Sequence, residues 1–209
     1  RLTPLEVDPL SDLDLAEVAA AALGIDSESA LATQLAQRAN NNPLLLRLWA
    51  DVDFVTSAAT DGNGLDDADL GRLPDTVHDA YLHRWDALPR DVRRVLSAGA
   101  CLGSEFVPDV VAACLDHSEL MPNTGDTAAG IAQAAEHWWI RNVTDDVDQF
   151  TEPTLHEIAS EKPVFSTAEQ KGIRLAFCEV LAQVKGNDRW DTMSVRARSA
   201  LLGSHIAVT

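Results

Sequence analysis

The chain has 209 residues, 46% of them apolar, and carries 16 Lys plus Arg against 33 Asp plus Glu, a formal net charge of −17 at pH 7. That length suffices for one large or two small domains with a real core, and no apolar run approaches the roughly 18–20 residues that span a bilayer. A field of this sign repels phosphate backbones and anionic lipid, which argues against direct nucleic-acid or membrane binding.

The opening RLTPLEVDPL lacks the basic start and apolar block of a signal peptide. Residue 1 is Arg, so a fragment or processed form of a longer cytoplasmic protein is expected. Ser11-Asp12 reads as the cap of a helix ended by Gly24, and Ser27 as the cap of a second helix running to about Ala39. In RANNNPLLLRLW (38–49) the asparagines tolerate left-handed backbone and can cap the next helix. Pro43 fits that helix's first turn, where its missing N–H costs nothing. The helix is expected to reach about Ala58, and the polar Ala59–Arg72 stretch reads as a loop. Val77, Tyr81, Trp85 and Leu88 recur at helical spacing, so they share one face of a long amphipathic helix that Pro89 breaks.

Pro89 opens a further helix with Val92, Val95 and Leu96 inward, and Pro108 opens a short one. Met121–Asp126 reads as a turn-rich linker, followed by a helix over Thr127–His137. Trp138–Val143 and Asp148–Thr151 form the one convincing strand pair, with Asp145-Asp146 as its turn. Alternation along the strand places one of Trp138 and Trp139 inward and the other outward. Ser166-x-x-Glu169 is a capping box, and a last helix is expected over about Asp191–Ala207. Three helices followed by a hairpin outline a winged helix from about Pro89 to Thr151.

The expected fold class is therefore mainly α. A helical lid subdomain (1–70) precedes a linker helix and winged-helix subdomain (71–155). A C-terminal helical extension (156–209) follows, readable as the start of a helical-repeat region.

Motifs for chemistry are scarce. The phosphate-cradling G-x-x-x-x-G-K-[ST] loop is absent, so the chain alone is not expected to hydrolyse nucleotide. The histidines (His78, His83, His117, His137, His156, His205) show neither H-E-x-x-H nor zinc spacing, and G-x-S-x-G is missing. Asp66-Asp67-x-Asp69 lacks the central Gly and terminal Glu of a calcium loop. Cys101, Cys114 and Cys178 form no C-x-x-C pair and read as reduced structural thiols. No catalytic residue and no metal ligand is expected.

LATQLAQRANNNPLLLRLW (31–49) resembles the lid segment of signal-transduction ATPases, the STAND branch of the AAA+ superfamily, where a small-residue helix runs into Gly-Asn-Pro-Leu. LPDTVHDAYLHRWDALPRDVRRVLSAGACLGSEF (73–106) resembles the stretch that follows in large LuxR-type bacterial transcriptional regulators. WWIRNVTDDVDQFTEPTLHEIA (138–159) resembles their winged-helix hairpin and the next helix. The resemblance covers roughly Ala30 to Ala159. It implies a regulatory nucleotide-switch module of a cytoplasmic ATPase controlling transcription, with no catalysis of its own. ATP or ADP with Mg would bind the parent protein, through an upstream P-loop core that is this chain's partner, and none would bind this chain tightly. The implied nucleotide-facing residues are Asn42 and Pro43, near adenine or ribose, and Glu152. Glu152 stands where a phosphate-sensing histidine is usual; a carboxylate there repels a diphosphate, and His156 lies one turn further on. Asn41 occupies a usual glycine position. The resemblance also implies surfaces for self-association. Two other readings remain open: a DNA-binding winged-helix protein with Thr127–His137 as recognition helix, and a helical scaffold without an ATPase core. The absence of Lys and Arg from Thr127–His137 weighs against the first.

Overall fold

Local capping fixes the first helix. In the computed structural model, which describes residues 9–120, 124–162, 164–186 and 188–208, α1 (Asp12–Leu23) starts at a full capping box. Ser11 Oγ accepts the Asp14 amide at 3.2 Å, and Asp14 Oδ2 accepts the Ser11 amide at 2.9 Å. Gly24 ends it with φ 68°, a conformation that costs glycine nothing. α2 (Ala30–Arg38) is capped by Ser29, not Ser27. α3 (Pro43–Trp49) is shorter than expected. The chain breaks after Trp49 and resumes as α4 (Asp53–Asp61), although Val52 supplies no side-chain cap. The acidic stretch holds α5 (Asp67–Arg72), capped by Asp66 through the Asp69 amide at 2.8 Å.

The chain forms two compact units, Arg1–Arg84 and Trp85–Thr209. In the first, α1 packs on α2 and α3 around buried Leu15, Leu31, Leu35, Leu46 and Trp49. Long-range polar contacts fix its loops. Gln34 pairs with both backbone groups of Leu65, at 3.0 and 2.8 Å, and Trp49 Nε1 donates to the Pro74 carbonyl at 3.2 Å. Arg38 pairs with Asp75. α6 (Val77–Ala87) follows, and the division between the units falls within it.

The second unit is built around α7 (Arg90–Leu102), where eight positions from Val92 to Leu102 are buried. After it come β1 (Glu105–Phe106), α8 (Pro108–His117), α9 (Thr124–Glu136), β2 (Ile140–Thr144) and β3 (Val147–Phe150), then α10 (Pro153–Glu161), α11 (Thr167–Lys185), α12 (Arg189–Thr192) and α13 (Val195–Val208). The strands form one antiparallel sheet in the order β1-β3-β2. Strand β1 is too short to be visible in the sequence. Of the turn-rich linker expected over Met121–Asp126, residues 121–123 lie outside the described residues and Thr124–Asp126 already form the first turn of α9, and the expected last helix is divided into α12 and α13.

Close approach sets how α9 meets α7. A Cβ on Gly130 would stand 2.9 Å from Val95 Cγ2, so the missing side chain lets the helices touch. Trp139 is 1% exposed and packs on Trp85 with ring centroids 5.3 Å apart, whereas Trp138 is 72% exposed. The inward–outward split is as expected, but its cause differs: Trp138 precedes the strand and has φ 61°. Its N–H bonds back to the Ala135 carbonyl at 3.0 Å, and its own carbonyl accepts the Thr151 hydroxyl at 2.6 Å. The architecture is thus mainly helical with a small antiparallel sheet. Among the described residues no helix is long and apolar enough to cross a membrane.

Candidate functional site

The first unit carries Asn42 and Pro43 at the junction of α2 and α3. Asn40 and Asn41 adopt φ 46° and 63°, the left-handed turn that asparagine tolerates better than most residues. The Asn42 amide then bonds back to the Ala39 carbonyl at 3.0 Å. Asn42 is the N-cap of α3, its Oδ1 accepting the Leu44 amide at 3.1 Å, and Pro43 takes the first helical position. Both residues are half-buried. The Leu44 amide is thereby occupied. What this junction offers a ligand is the side of the proline ring and the edge of the asparagine amide.

The second unit carries Glu152 and His156, one turn apart at the start of α10. Glu152 is the N-cap by position (φ −141°, ψ 149°), yet its carboxylate makes no capping bond; Pro153 begins the helix. His156 is committed to the fold. Its Nε2 lies 3.4 Å from the Ala100 carbonyl on α7. Its ring meets Phe150 edge-on with centroids 5.3 Å apart, and Phe150 in turn meets Phe106 at 5.8 Å. His156 therefore ties α10 to α7 and β3. The two pairs of residues lie in separate units: Asn42 and Pro43 are adjacent in the first, and Glu152 and His156 stand four residues apart in the second.

Sequence reasoning missed the polar side chains that organise the sheet. Asp146, in the β2–β3 turn, accepts the Ser194 amide and hydroxyl, both at 2.8 Å, and the Thr144 hydroxyl at 2.8 Å. Burial alone would raise its pKa, but these bonds outweigh it and hold the carboxyl below its ordinary value. Arg196 on α13 grips Glu105 on β1 through two bonds, at 3.0 and 2.5 Å. Asp148 on β3 is 5% exposed, and burial raises its pKa against one weak bond from Asn142 at 3.4 Å. The signal for Asp148 was present: strand alternation puts it on the same face as Phe150. Nothing local announced that Asp146 would meet a residue 48 positions away.

Among the described residues no group of three or more His, Cys, Asp or Glu side chains is placed to hold a metal ion; the side chain of His205 lies outside them. Comparison with protein-family models, curated proteins and solved structures gave no match.

Proposed function

We propose that this chain is the regulatory lid-plus-winged-helix portion of a larger cytoplasmic signalling ATPase, a nucleotide-responsive module without catalysis of its own. The observation that carries the reading is topological. The order α7-β1-α8-α9-β2-β3, with strands arranged β1-β3-β2, follows the connectivity of a winged helix. Ahead of it, the first unit supplies a helical lid whose Asn-Pro junction caps α3.

Three features favour a winged helix serving as an arm over one that reads DNA. Helix α9, at the recognition-helix position, has no Lys or Arg, the residues that neutralise phosphate and read guanine. The turn of the wing is hydrogen-bonded to Ser194 and so engaged within the fold. The net charge is −17. In this reading a P-loop core supplied from outside these residues binds the phosphates, with Pro43 against the base or ribose. Glu152 weakens any contact with a diphosphate. Nucleotide biases the arm only through different affinities for its docked and released arrangements.

Calorimetric titration of this chain with Mg-ATP and Mg-ADP tests the proposal. No turnover, and no affinity tighter than millimolar, is expected; micromolar binding by these residues alone would overturn it. Salt-dependent retention of duplex DNA would transfer the reading to a DNA-binding protein.

A further inference from the structure

We infer that α13 is a releasable strap along the edge strand β1, held by two polar clamps, and that its release as one piece is a conformational switch built into the second unit. β1 is the outer strand of the sheet and pairs with β3. The Phe150 amide donates to the Ser104 carbonyl at 3.0 Å, so by the alternation of an antiparallel ladder the N–H and carbonyl of Glu105 point away from β3. Such an edge is a template for further pairing unless another element lies along it. α13 packs against β1, α7 and α11. Arg196 bonds Glu105, and about two turns further on Ser204 Oγ would be 3.9 Å from a Cβ on Gly103. The helix therefore follows the chain from β1 back to the end of α7.

The first clamp joins the start of α13 to the tip of the hairpin: Asp146 accepts the Ser194 amide and hydroxyl, each at 2.8 Å. The second is the two-bond grip of Arg196 on Glu105. Glu105 also accepts the Gln149 side-chain amide at 3.3 Å, so this clamp reaches β3. Both clamps sit at the N-terminal end of the helix. Beyond them, up to Ser204, the buried positions are Ala197, Leu201 and Ser204, and Leu201 is the one large apolar side chain among them. The Ser204 hydroxyl is spent within the helix, on the Ala200 carbonyl at 2.8 Å, while Val195 and Leu202 are exposed. α11, by contrast, buries Ile173, Phe177, Leu181 and Val184. An element held by little apolar burial and a few polar anchors opens before the rest of its unit does.

Two clamps make the release all-or-none. With one lost, the other still holds the helix, and only the first turn is freed. With both lost, up to Ser204 only the Leu201 side chain anchors α13 by apolar burial. The clamps also differ in kind. Arg196 and Glu105 form an ion pair with solvent-exposed surface, which salt screens. Asp146 binds the neutral amide and hydroxyl of Ser194, so salt weakens it less. Release therefore answers to ionic strength once the Asp146 clamp is open. This inference rests on α13 and its anchors alone and survives even if the nucleotide-switch reading fails.

The test is residue-resolved amide hydrogen exchange of the full chain. The variants are Asp146→Ala, Asp146→Ala with Arg196→Gln, and Arg198→Gln, which makes the same charge change on α13 outside both clamps. In the double variant, exchange over residues 199–204 should rise by one common factor, at least about tenfold, while α7 from Val95 to Leu102 stays unchanged. Arg198→Gln should leave both helices as in the unsubstituted chain. High salt added to Asp146→Ala should reproduce the uniform rise, and salt should add nothing further to the double variant. If the double variant does not fold, the salt series on Asp146→Ala decides. A rise graded from the far end of α13 would mean ordinary fraying, and an equal rise in α7 would mean global unfolding. No rise would mean that the clamps do not hold the helix. Each of these three results would overturn the proposal.

Discussion

Asp146, at the turn between β2 and β3, holds Ser194 by both its amide and its hydroxyl, each at 2.8 Å. Ser194 Oγ also accepts the Ala197 amide at 3.0 Å, so the same serine starts α13. The tip of the hairpin and the first turn of the C-terminal helix are thus one polar unit. Arg196, two residues on, adds its grip on Glu105 of β1.

Removing that carboxylate should release the hairpin tip. Asp146→Ala is expected to cost about 1 kcal/mol, the charge-assisted bonds being partly offset by solvent at a half-exposed site. Amide hydrogen exchange should rise selectively at the β2–β3 turn and the first turn of α13. The pH dependence follows from the lowered pKa. The folded state binds fewer protons than the unfolded state, so the stabilisation is present above the ordinary carboxylate range. It is lost as pH falls through the folded value. Asp146→Ala should flatten the acid limb of a urea-denaturation profile. An unchanged limb would place the stabilisation elsewhere.

Asp148 behaves in the opposite sense. Its pKa is raised chiefly by burial, so the folded state holds the proton more tightly than the unfolded state does. Stability therefore falls as pH rises from the ordinary carboxylate value through the raised one. Asp148→Asn keeps the shape and a polar partner for Asn142 while removing the buried charge. It should stabilise the chain at pH 7 by on the order of 1 kcal/mol, with no gain at acidic pH. A loss at neutral pH would show that the charge is satisfied.

What the sequence revealed and what it hid divide along range of interaction. The boxes Ser11/Asp14 and Ser166/Glu169 close within three residues, so both helix starts were legible. The break between α3 and α4 was not: no Gly or Pro marks it, and Val52 makes no side-chain cap. Asp66 stands in an acidic pattern with a partial likeness to a calcium loop, yet it caps α5 by the same local logic as the two serines. The site residues show the same division. Asn42 and Pro43 take the cap and first-turn positions that their chemistry suggests. His156 is instead held by Ala100 and Phe150, contacts that only tertiary packing creates.

The asparagine turn can be tested at two adjacent positions. Asn41 has φ 63°, so a β-branched residue there is strained; Asn41→Val should cost about 1–2 kcal/mol, and Asn41→Gly should be tolerated. Asn42→Ala removes the acceptor of the Leu44 amide and should cost about 1 kcal/mol. Denaturation midpoints for the three variants should therefore place Asn41→Gly above Asn42→Ala, and Asn41→Val no higher than Asn42→Ala. A tolerated valine at position 41 would mean that the turn relaxes.

Gly130 makes the sharpest case, because propensity and packing predict opposite signs. Alanine is the better helix former by about 1 kcal/mol, so on an open helix face Gly130→Ala would stabilise. Here the added methyl would stand 2.9 Å from Val95 Cγ2, and Val95 is itself fully buried on α7. Overpacking of this kind costs about 1–3 kcal/mol, so net destabilisation is expected. Val95→Ala alone opens a cavity and also destabilises. Together the new methyl fills part of the space the valine leaves, so the double variant should be less damaged than the sum of the two. The coupling energy in a double-mutant cycle is the measurement. Additivity within error would mean that α9 moves away from α7 instead of clashing with it.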